Sequence, residues 1–169
     1  MKKPTIRIGY GYDVHQLKEG YDLWLGGIKI DHEKGAVGHS DADVIIHVIC
    51  DAILGAANMR DIGYHFPDTD PKYKGIDSKK LLDEVMTLIR NKHYEVGNID
   101  VTLCAQRPKV NPFIPKMVAV LSEVMDVAEE DISIKATTTE KLGFVGTEQG
   151  IAAHAVALIY RVEKTKGGG

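Results

Sequence analysis

The chain predicts an α+β fold, a layer sandwich in which a mixed sheet is covered by helices. Three observations carry this. Segments alternating with a period of two interleave with segments of helical period, the chain closes on two consecutive strands, and no internal repeat or linker interrupts it. Its 169 residues suit one domain. We place that domain over residues 1–162, with a flexible tail at 163–169 ending in Gly167-Gly168-Gly169.

The elements follow in order. Ile6 to His15 reads as a strand, because Ile6, Ile8, Tyr10 and Tyr12 alternate with Arg7, Gly9, Gly11 and Asp13. Leu23-Trp24-Leu25 and Ile28-Lys29-Ile30 flank Gly26-Gly27, the pattern of a tight hairpin. A loop is expected from Asp31 to Ser40. Ser40 or Asp41 then caps a helix to about Ala57, apolar nearly all round and so deeply buried or set between subunits. Residues 58–77 are rich in turn formers and have little periodicity. An irregular stretch of that length is usually functional or mobile. Ser78 to Asn91 is an amphipathic helix, with Leu81, Leu82, Val85, Met86 and Ile89 on one face. A strand over Ile99–Ala105, a helix marked by Ile114 to Met125 and a strand at Ile132–Ala136 follow. A glycine-bearing loop spans Gly143–Gly150, and the last strand is Ile151 to Val162. Its alanines at 152, 153, 155 and 157 permit another element or subunit to approach closely.

Composition excludes several classes. Lys and Arg number 21 against 24 Asp and Glu, a net charge of −3, so no broad basic field exists for nonspecific nucleic-acid binding. No run approaches the ~18 apolar residues of a membrane span. The N-terminus alternates after Met1-Lys2-Lys3-Pro4 instead of forming a secretory apolar core. Cys50 and Cys104 sit in apolar segments without a C-x-x-C, which points to two buried thiols in a reducing compartment. The expected location is cytoplasmic.

Chemistry concentrates in a few places. Asp13 and His15 are two apart on a strand and leave the same face. His47 lies within the apolar helix. Each alone reads more simply as a structural residue. Together they offer two imidazoles and one carboxylate, a set that zinc uses when its fourth position stays open. Such a site is net +1 and attracts an anion. Asp43 and Asp51, each four residues from His47, could orient its ring or could instead cap backbone or face solvent. Phe66-Pro67-Asp68-Thr69-Asp70-Pro71 is an Asp-bearing loop, equally readable as a turn. Thr137-Thr138-Thr139-Glu140 follows a strand end. Its hydroxyls and amides suit phosphate oxygens, and Glu140 suits a hard cation, unless the run is only a β-branched strand terminus. His32, His65, His93 and His154 take plain loop, surface or strand readings.

Five segments occur in this order: Gly11-Tyr12-Asp13-Val14-His15, Gly38-His39-Ser40-Asp41-Ala42-Asp43, Asp61-Ile62-Gly63, Phe66 to Pro71, and Lys135 to Phe144. With them the chain closely resembles the 2-C-methyl-D-erythritol 2,4-cyclodiphosphate synthase family over roughly residues 6–162. The resemblance implies conversion of 4-diphosphocytidyl-2-C-methyl-D-erythritol 2-phosphate into the 2,4-cyclodiphosphate and CMP. It implies a homotrimer with active sites at subunit interfaces. Asp13, His15 and His47 match the ligands of one Zn2+ per subunit, and Glu140 matches a residue holding Mg2+ or Mn2+ on the diphosphate. His39 and Thr138 match transition-state stabilisers, with His39 and Ser40 also at the erythritol phosphate end. Asp61, Ile62 and Gly63 match the ribose and erythritol side. Phe66, Pro67, Asp68, Thr69 and Asp70 match a mobile loop over the methylerythritol. Ala105, Gln106, Arg107, Pro108, Lys109, Val110 and Asn111 match a cytosine-binding stretch supplied by the neighbouring subunit. Val14, Thr137, Thr139 and Phe144 complete the expected substrate contacts. Thr147 departs from the family, many members of which carry a basic residue there.

The implied nucleophile is an oxygen of the substrate's own 2-phosphate, and the chain shows no nucleophile elbow or Ser-His-Asp pattern. Catalysis then reduces to positioning and charge neutralisation. Two alternatives use the same three ligands: a zinc-dependent phosphohydrolase with water in the open position, and a trimeric binding protein with a structural zinc.

Overall fold

The computed structural model describes residues 5–162, so the tail expected at 163–169 and the first four residues lie outside it. The chain runs β1 (Ile6–Glu19), β2 (Leu23–Leu25), β3 (Ile28–Ile30), β4 (Lys34–Val37), α1 (Val44–Ala56), α2 (Ile62–His65) and α3 (Ser78–Asn91). It continues β5 (Tyr94–Cys104), α4 (Ile114–Met125), β6 (Ile132–Thr137), α5 (Gly143–Gly146) and β7 (Gly150–Arg161). The main sheet has the order β4-β1-β7-β5-β6. Only β5 and β6 are parallel, so the sheet is mixed, and β2-β3 is a separate hairpin. Gly26 and Gly27 both have positive φ, as a two-residue hairpin turn requires.

Helix α1 lies on the centre of the sheet, across β1 and β7. That close seat depends on small residues. A Cβ on Gly11 would fall 2.1 Å from the Val48 carbonyl oxygen, and one on Gly9 would fall 1.9 Å from that of Ala52. Ala153, Ala155 and Ala157 of β7 are buried on the same side, which accounts for the alanine pattern of the last strand. Every residue from Val44 to Leu54 except Asp51 is buried, as the apolar periodicity of α1 requires.

Helices α1, α3 and α4 cover one face of the sheet, the layered arrangement expected. On the other face Ile6, Ile8, Tyr10, Tyr12 and Val14 are exposed in the single chain. Several other expectations change. Residues 34–37, expected in a loop, form β4 and pair with Gln16–Glu19. Helix α1 is capped by Asp43, not by Ser40 or Asp41. Its carboxylate accepts from Ile46 N at its own helix and from Gly26 N and Gly27 N of the hairpin turn. A buried carboxylate needs such donors, and these three amides lock the hairpin onto the helix start. The 58–77 stretch contains α2 and a single 3-10 turn at Pro71–Tyr73. Residues 143–146, expected in a loop, form the one-turn α5. Cys50 is buried as expected, whereas Cys104 is half-buried, because it ends β5 at the sheet's edge of cover.

Candidate functional site

Period-two alternation sends Asp13 and His15 to the helix-facing side of β1, and the glycines at 9 and 11 let α1 come close enough for His47 to meet them. Asp13 Oδ2 lies 3.0 Å from His47 Nδ1 and 3.1 Å from His15 Nε2, and the two ring nitrogens are 3.1 Å apart. This is nearly an equilateral triangle. Tetrahedral zinc with bonds of ~2.0–2.1 Å separates its ligand atoms by roughly 3.3 Å.

The far ring atoms have partners of their own. His15 Nδ1 donates to Val37 O at 3.2 Å, which leaves Nε2 as an acceptor. His47 Nε2 faces Ser40 Oγ at 3.1 Å and Ser78 Oγ at 3.2 Å, hydroxyls able to accept its proton when Nδ1 serves as a ligand. Three atoms able to ligate a cation therefore converge. The donor set of two imidazoles and one carboxylate fits zinc. Among the described residues no fourth His, Cys, Asp or Glu joins the triangle. Electrostatics agree. Burial works against charge on Asp13, but hydrogen bonds and charge from His15 and His47 outweigh it and hold the carboxyl well below the usual range. Burial likewise pulls His47 down, yet the Asp13 hydrogen bond and charge leave it raised above 6.5.

Neither Asp43 nor Asp51 orients His47. Asp43 is committed to its three backbone amides, and Asp51 accepts from Ile62 N at 2.9 Å. Helical spacing placed them along the right face of α1 but could not foresee these competing donors. Val37 and Ser78, which hold the two imidazoles, went unnoticed because they lie 22 and 31 residues from their partners with no pattern joining them.

The triangle opens into a cavity of about 260 Å³ that includes His39, Ser40, Ile62, Gly63, Phe66 and Asp68 among its walls. Phe66 is buried and meets Tyr73 edge-to-face at 5.4 Å, so it anchors the base of its loop. Asp68 is exposed and reaches to 4.0 Å from His39 Nδ1 across the cavity. Pro67 and Thr69 belong to the same turn. Asp61 and Asp70 serve as caps, accepting from Tyr64 N and Lys72 N. Val14 projects from the opposite face of β1, away from this cavity.

A second cavity of about 500 Å³ gathers Ala105, Gln106, Pro108, Lys109, Val110 and Asn111 with Thr137 and Thr138. It shares no wall residue with the first. Arg107 turns aside to pair with Glu148 and Glu33. Glu140 is exposed beside Thr138, whose Oγ1 donates to Glu140 Oε1 at 3.1 Å. The Thr139 hydroxyl donates to Leu142 O at 2.6 Å. Phe144 lies with Tyr12 and His154 in a third hollow on the uncovered sheet face. Thr147 Oγ1 donates to Gly143 O, closing α5, and puts no cation at that position. His65 and His154 take plain roles, bonded to Met59 O and the Tyr10 hydroxyl.

The pattern of the YgbB family matches residues 6–160. The chain belongs to the YgbB family. A relative in Porphyromonas gingivalis, 2-C-methyl-D-erythritol 2,4-cyclodiphosphate synthase, is 65% identical over 94% of this chain and 98% of its own length. Among YgbB-like structures, IspF of Plasmodium falciparum in a CDP complex superposes with a TM-score of 0.84. It is 37% identical over 96% of this chain and 100% of that one. The bifunctional IspDF of Campylobacter jejuni gives a TM-score of 0.91 at 40% identity, covering 95% of this chain, which spans 44% of that longer protein.

Proposed function

We propose that the chain, as a single synthase domain, converts 4-diphosphocytidyl-2-C-methyl-D-erythritol 2-phosphate into 2-C-methyl-D-erythritol 2,4-cyclodiphosphate and CMP. The observation that carries this is the triangle of Asp13 Oδ2, His15 Nε2 and His47 Nδ1, three potential ligand atoms at 3.0–3.1 Å with an open cavity beside them. The P. gingivalis relative bears the name of this synthase, and the P. falciparum IspF structure holds CDP.

Asp13, His15 and His47 would hold Zn2+, one per subunit, and Glu140 would help hold Mg2+ or Mn2+ against the diphosphate, a cation that commonly takes one or two protein carboxylates plus phosphate oxygens. Bound there, the two cations supply positive charge to phosphate oxygens. The chain's own residues do the rest. An oxygen of the substrate 2-phosphate attacks the β-phosphorus, forming one P–O bond as the bond to the CMP oxygen breaks. His39 and Ser40, at the wall of the first cavity, orient the erythritol phosphate end. The Thr138 hydroxyl and the amides of 137–140 steady the diphosphate. Residues 61–70 cover the methylerythritol and keep out water, which would otherwise capture the same phosphorus. Residues 105–111 receive the cytosine.

The two cavities are separate within one chain, so a substrate spanning a metal half and a cytidine half takes them from two copies. The uncovered apolar face of β1 and β7 supports the same reading, since neighbouring exposed apolar side chains of this kind mark a surface for a partner. The assembly we propose is the homotrimer with shared sites that the family resemblance implies, located in the cytoplasm.

The test is incubation of the purified chain with the cytidine-linked substrate and Mg2+ or Mn2+, followed by phosphorus NMR. The cyclic diphosphate with CMP is expected. An open-chain bisphosphate would instead establish the phosphohydrolase, and no turnover with zinc retained would favour a structural zinc. Glu140→Gln should keep zinc and raise the Mg2+ or Mn2+ concentration needed for half-maximal rate by about tenfold. An unmoved metal titration would remove Glu140 from that role.

A further inference from the structure

His47 and Asp51 lie four residues apart on α1, so they share a helix face about one turn, or ~6 Å of rise, from each other. His47 belongs to the metal triangle. Asp51 does not line the cavity beside it. Its Oδ1 instead accepts from Ile62 N at 2.9 Å, the first amide of α2. Ile62 and Gly63 line that cavity together with His47. One face of α1 thus holds both a corner of the metal triangle and the backbone of a cavity wall.

The neighbouring hydrogen bonds of this wall are local. Asp61 accepts from Tyr64 N and Ile62 O accepts from Phe66 N, which shapes the α2 turn without fixing where it lies. Upstream, Met59 N donates to Leu54 O at 2.9 Å and keeps the chain at the end of α1. Between that point and α2 the backbone passes through Arg60 at φ 70°. A non-glycine residue holds that left-handed conformation only where its surroundings enforce it. The Ile62 side chain packs against the core, but apolar contact has no direction and leaves the backbone free to shift. Asp51 supplies the directional tie, from the middle of a helix that is seated tightly on the sheet.

We propose that Asp51 is a positioning residue for the substrate: through Ile62 N it fixes residues 61–63 relative to His47, so that the cavity wall and the metal corner keep one spacing. This rests on the function proposed above for its substrate, whereas the tie itself is a property of the chain alone. Residues 61–63 cover the substrate and do not react with it, so they act on its ground and transition states alike. Losing their place raises KM and leaves kcat. A general loss of folded protein does the reverse, because it lowers the concentration of active enzyme and leaves KM unchanged.

The experiment compares the full chain with Asp51→Ala, Asp51→Glu and Asp51→Asn. Steady-state rates with the cytidine-linked substrate are followed by phosphorus NMR, zinc content by metal analysis, and hydrogen exchange of the Ile62 amide by 15N NMR. Asparagine keeps an acceptor oxygen at the same reach, and glutamate keeps the charge on a side chain one methylene longer. Asp51→Ala and Asp51→Glu should retain zinc, raise KM by about tenfold with kcat within about threefold, and speed Ile62 exchange by about tenfold. Asp51→Asn should stay within about threefold of wild type in both KM and exchange. The proposal is overturned if Asp51→Ala keeps KM within about twofold of wild type, if Asp51→Asn fails to restore it, or if kcat falls while KM stays. KM does not depend on the folded fraction, so a loss of stability in any variant does not mask the result. Wild type that forms no cyclic product would sink the function reading instead. Ile62 exchange would then decide the tie by itself, and unchanged exchange in Asp51→Ala would remove it.

Discussion

Along β1, Arg7, Gly9, Gly11, Asp13 and His15 face helix α1, whereas Ile6, Ile8, Tyr10, Tyr12 and Val14 face away from it. By hydrophobicity alone the assignment would be reversed, with the isoleucines and tyrosines turned inward. What decides the matter is the room available. Helix α1 presses so closely that its own carbonyls fill the space where side chains at 9 and 11 would begin. Arg7 escapes by running to the helix end, where its Nε donates to Ala56 O. Asp13 and His15 fit because the helix offers an imidazole there in place of an aliphatic side chain. The inner face of β1 is thus built from glycine and a charged cluster. The outer one carries the apolar area, including Tyr12 against the His154 ring at 4.8 Å. Alternation thus defines two faces without naming the inner one, and a close helix selects for small size before it selects for hydrophobicity.

A single methyl group on the inner face should have the largest effect. Gly11→Ala should cost on the order of 4–5 kcal/mol, or abolish folding, since the new carbon meets helix backbone that cannot rotate away. Urea unfolding checks it, and a loss below about 1 kcal/mol would mean that the helix seat is soft. His47→Ala removes the point where the helix meets that face. It should leave the fold intact but abolish zinc retention and nearly all turnover, seen by metal analysis and phosphorus NMR. Zinc held at wild-type stoichiometry would show that Asp13 and His15 suffice without it. On the outer face, Tyr12→Glu places like charges together at the proposed trimer interface and should weaken association by about 100-fold or more. Sedimentation velocity reads the shift toward single chains. Unchanged assembly would move the interface elsewhere.

The smallest effect concerns pH. His47 is raised above its ordinary 6.5, so its pairing with Asp13 stabilises the metal-free chain fully below 6.5 and is lost as pH rises through the raised value. Asp13 is lowered, so its share is present above 3.8 and lost as pH falls through the depressed value. Metal-free protein should therefore melt about 2–4 °C lower at pH ~8.5 than at pH ~6. Zinc binds the neutral ring, so zinc-loaded protein should not lose stability over that interval. Parallel thermal melts with and without zinc decide it.

Regular elements were legible where local pattern and local partners agree. Helix α3 runs over Ser78–Asn91 as its periodicity predicts, because Asp77 caps it through Lys79 N and no other element competes for that carboxylate. The Gly26-Gly27 hairpin needed only a turn that tolerates positive φ. The start of α1 lies two or three residues beyond the expected caps Ser40 and Asp41, since Asp43 is drawn to amides of a hairpin far back in the chain. Strand β4 was missed because four residues with one glycine carry no pattern of their own. Its pairing with Gln16–Glu19 is what makes it a strand.

Local pattern was enough for the interleaving of strands with helices, the buried character of α1, and the three residue types that can share a metal ion. These depend on spacing and composition, which a linear chain records. Packing in three dimensions was needed to seat α1 on the glycine face of β1, to keep the two cavities without a shared wall, and to commit Asp43 and Asp51 to backbone while Ser78 meets His47. Those outcomes turn on which donors and acceptors find one another across tens of residues, and a buried polar group takes the nearest partner in space, whatever its distance along the chain.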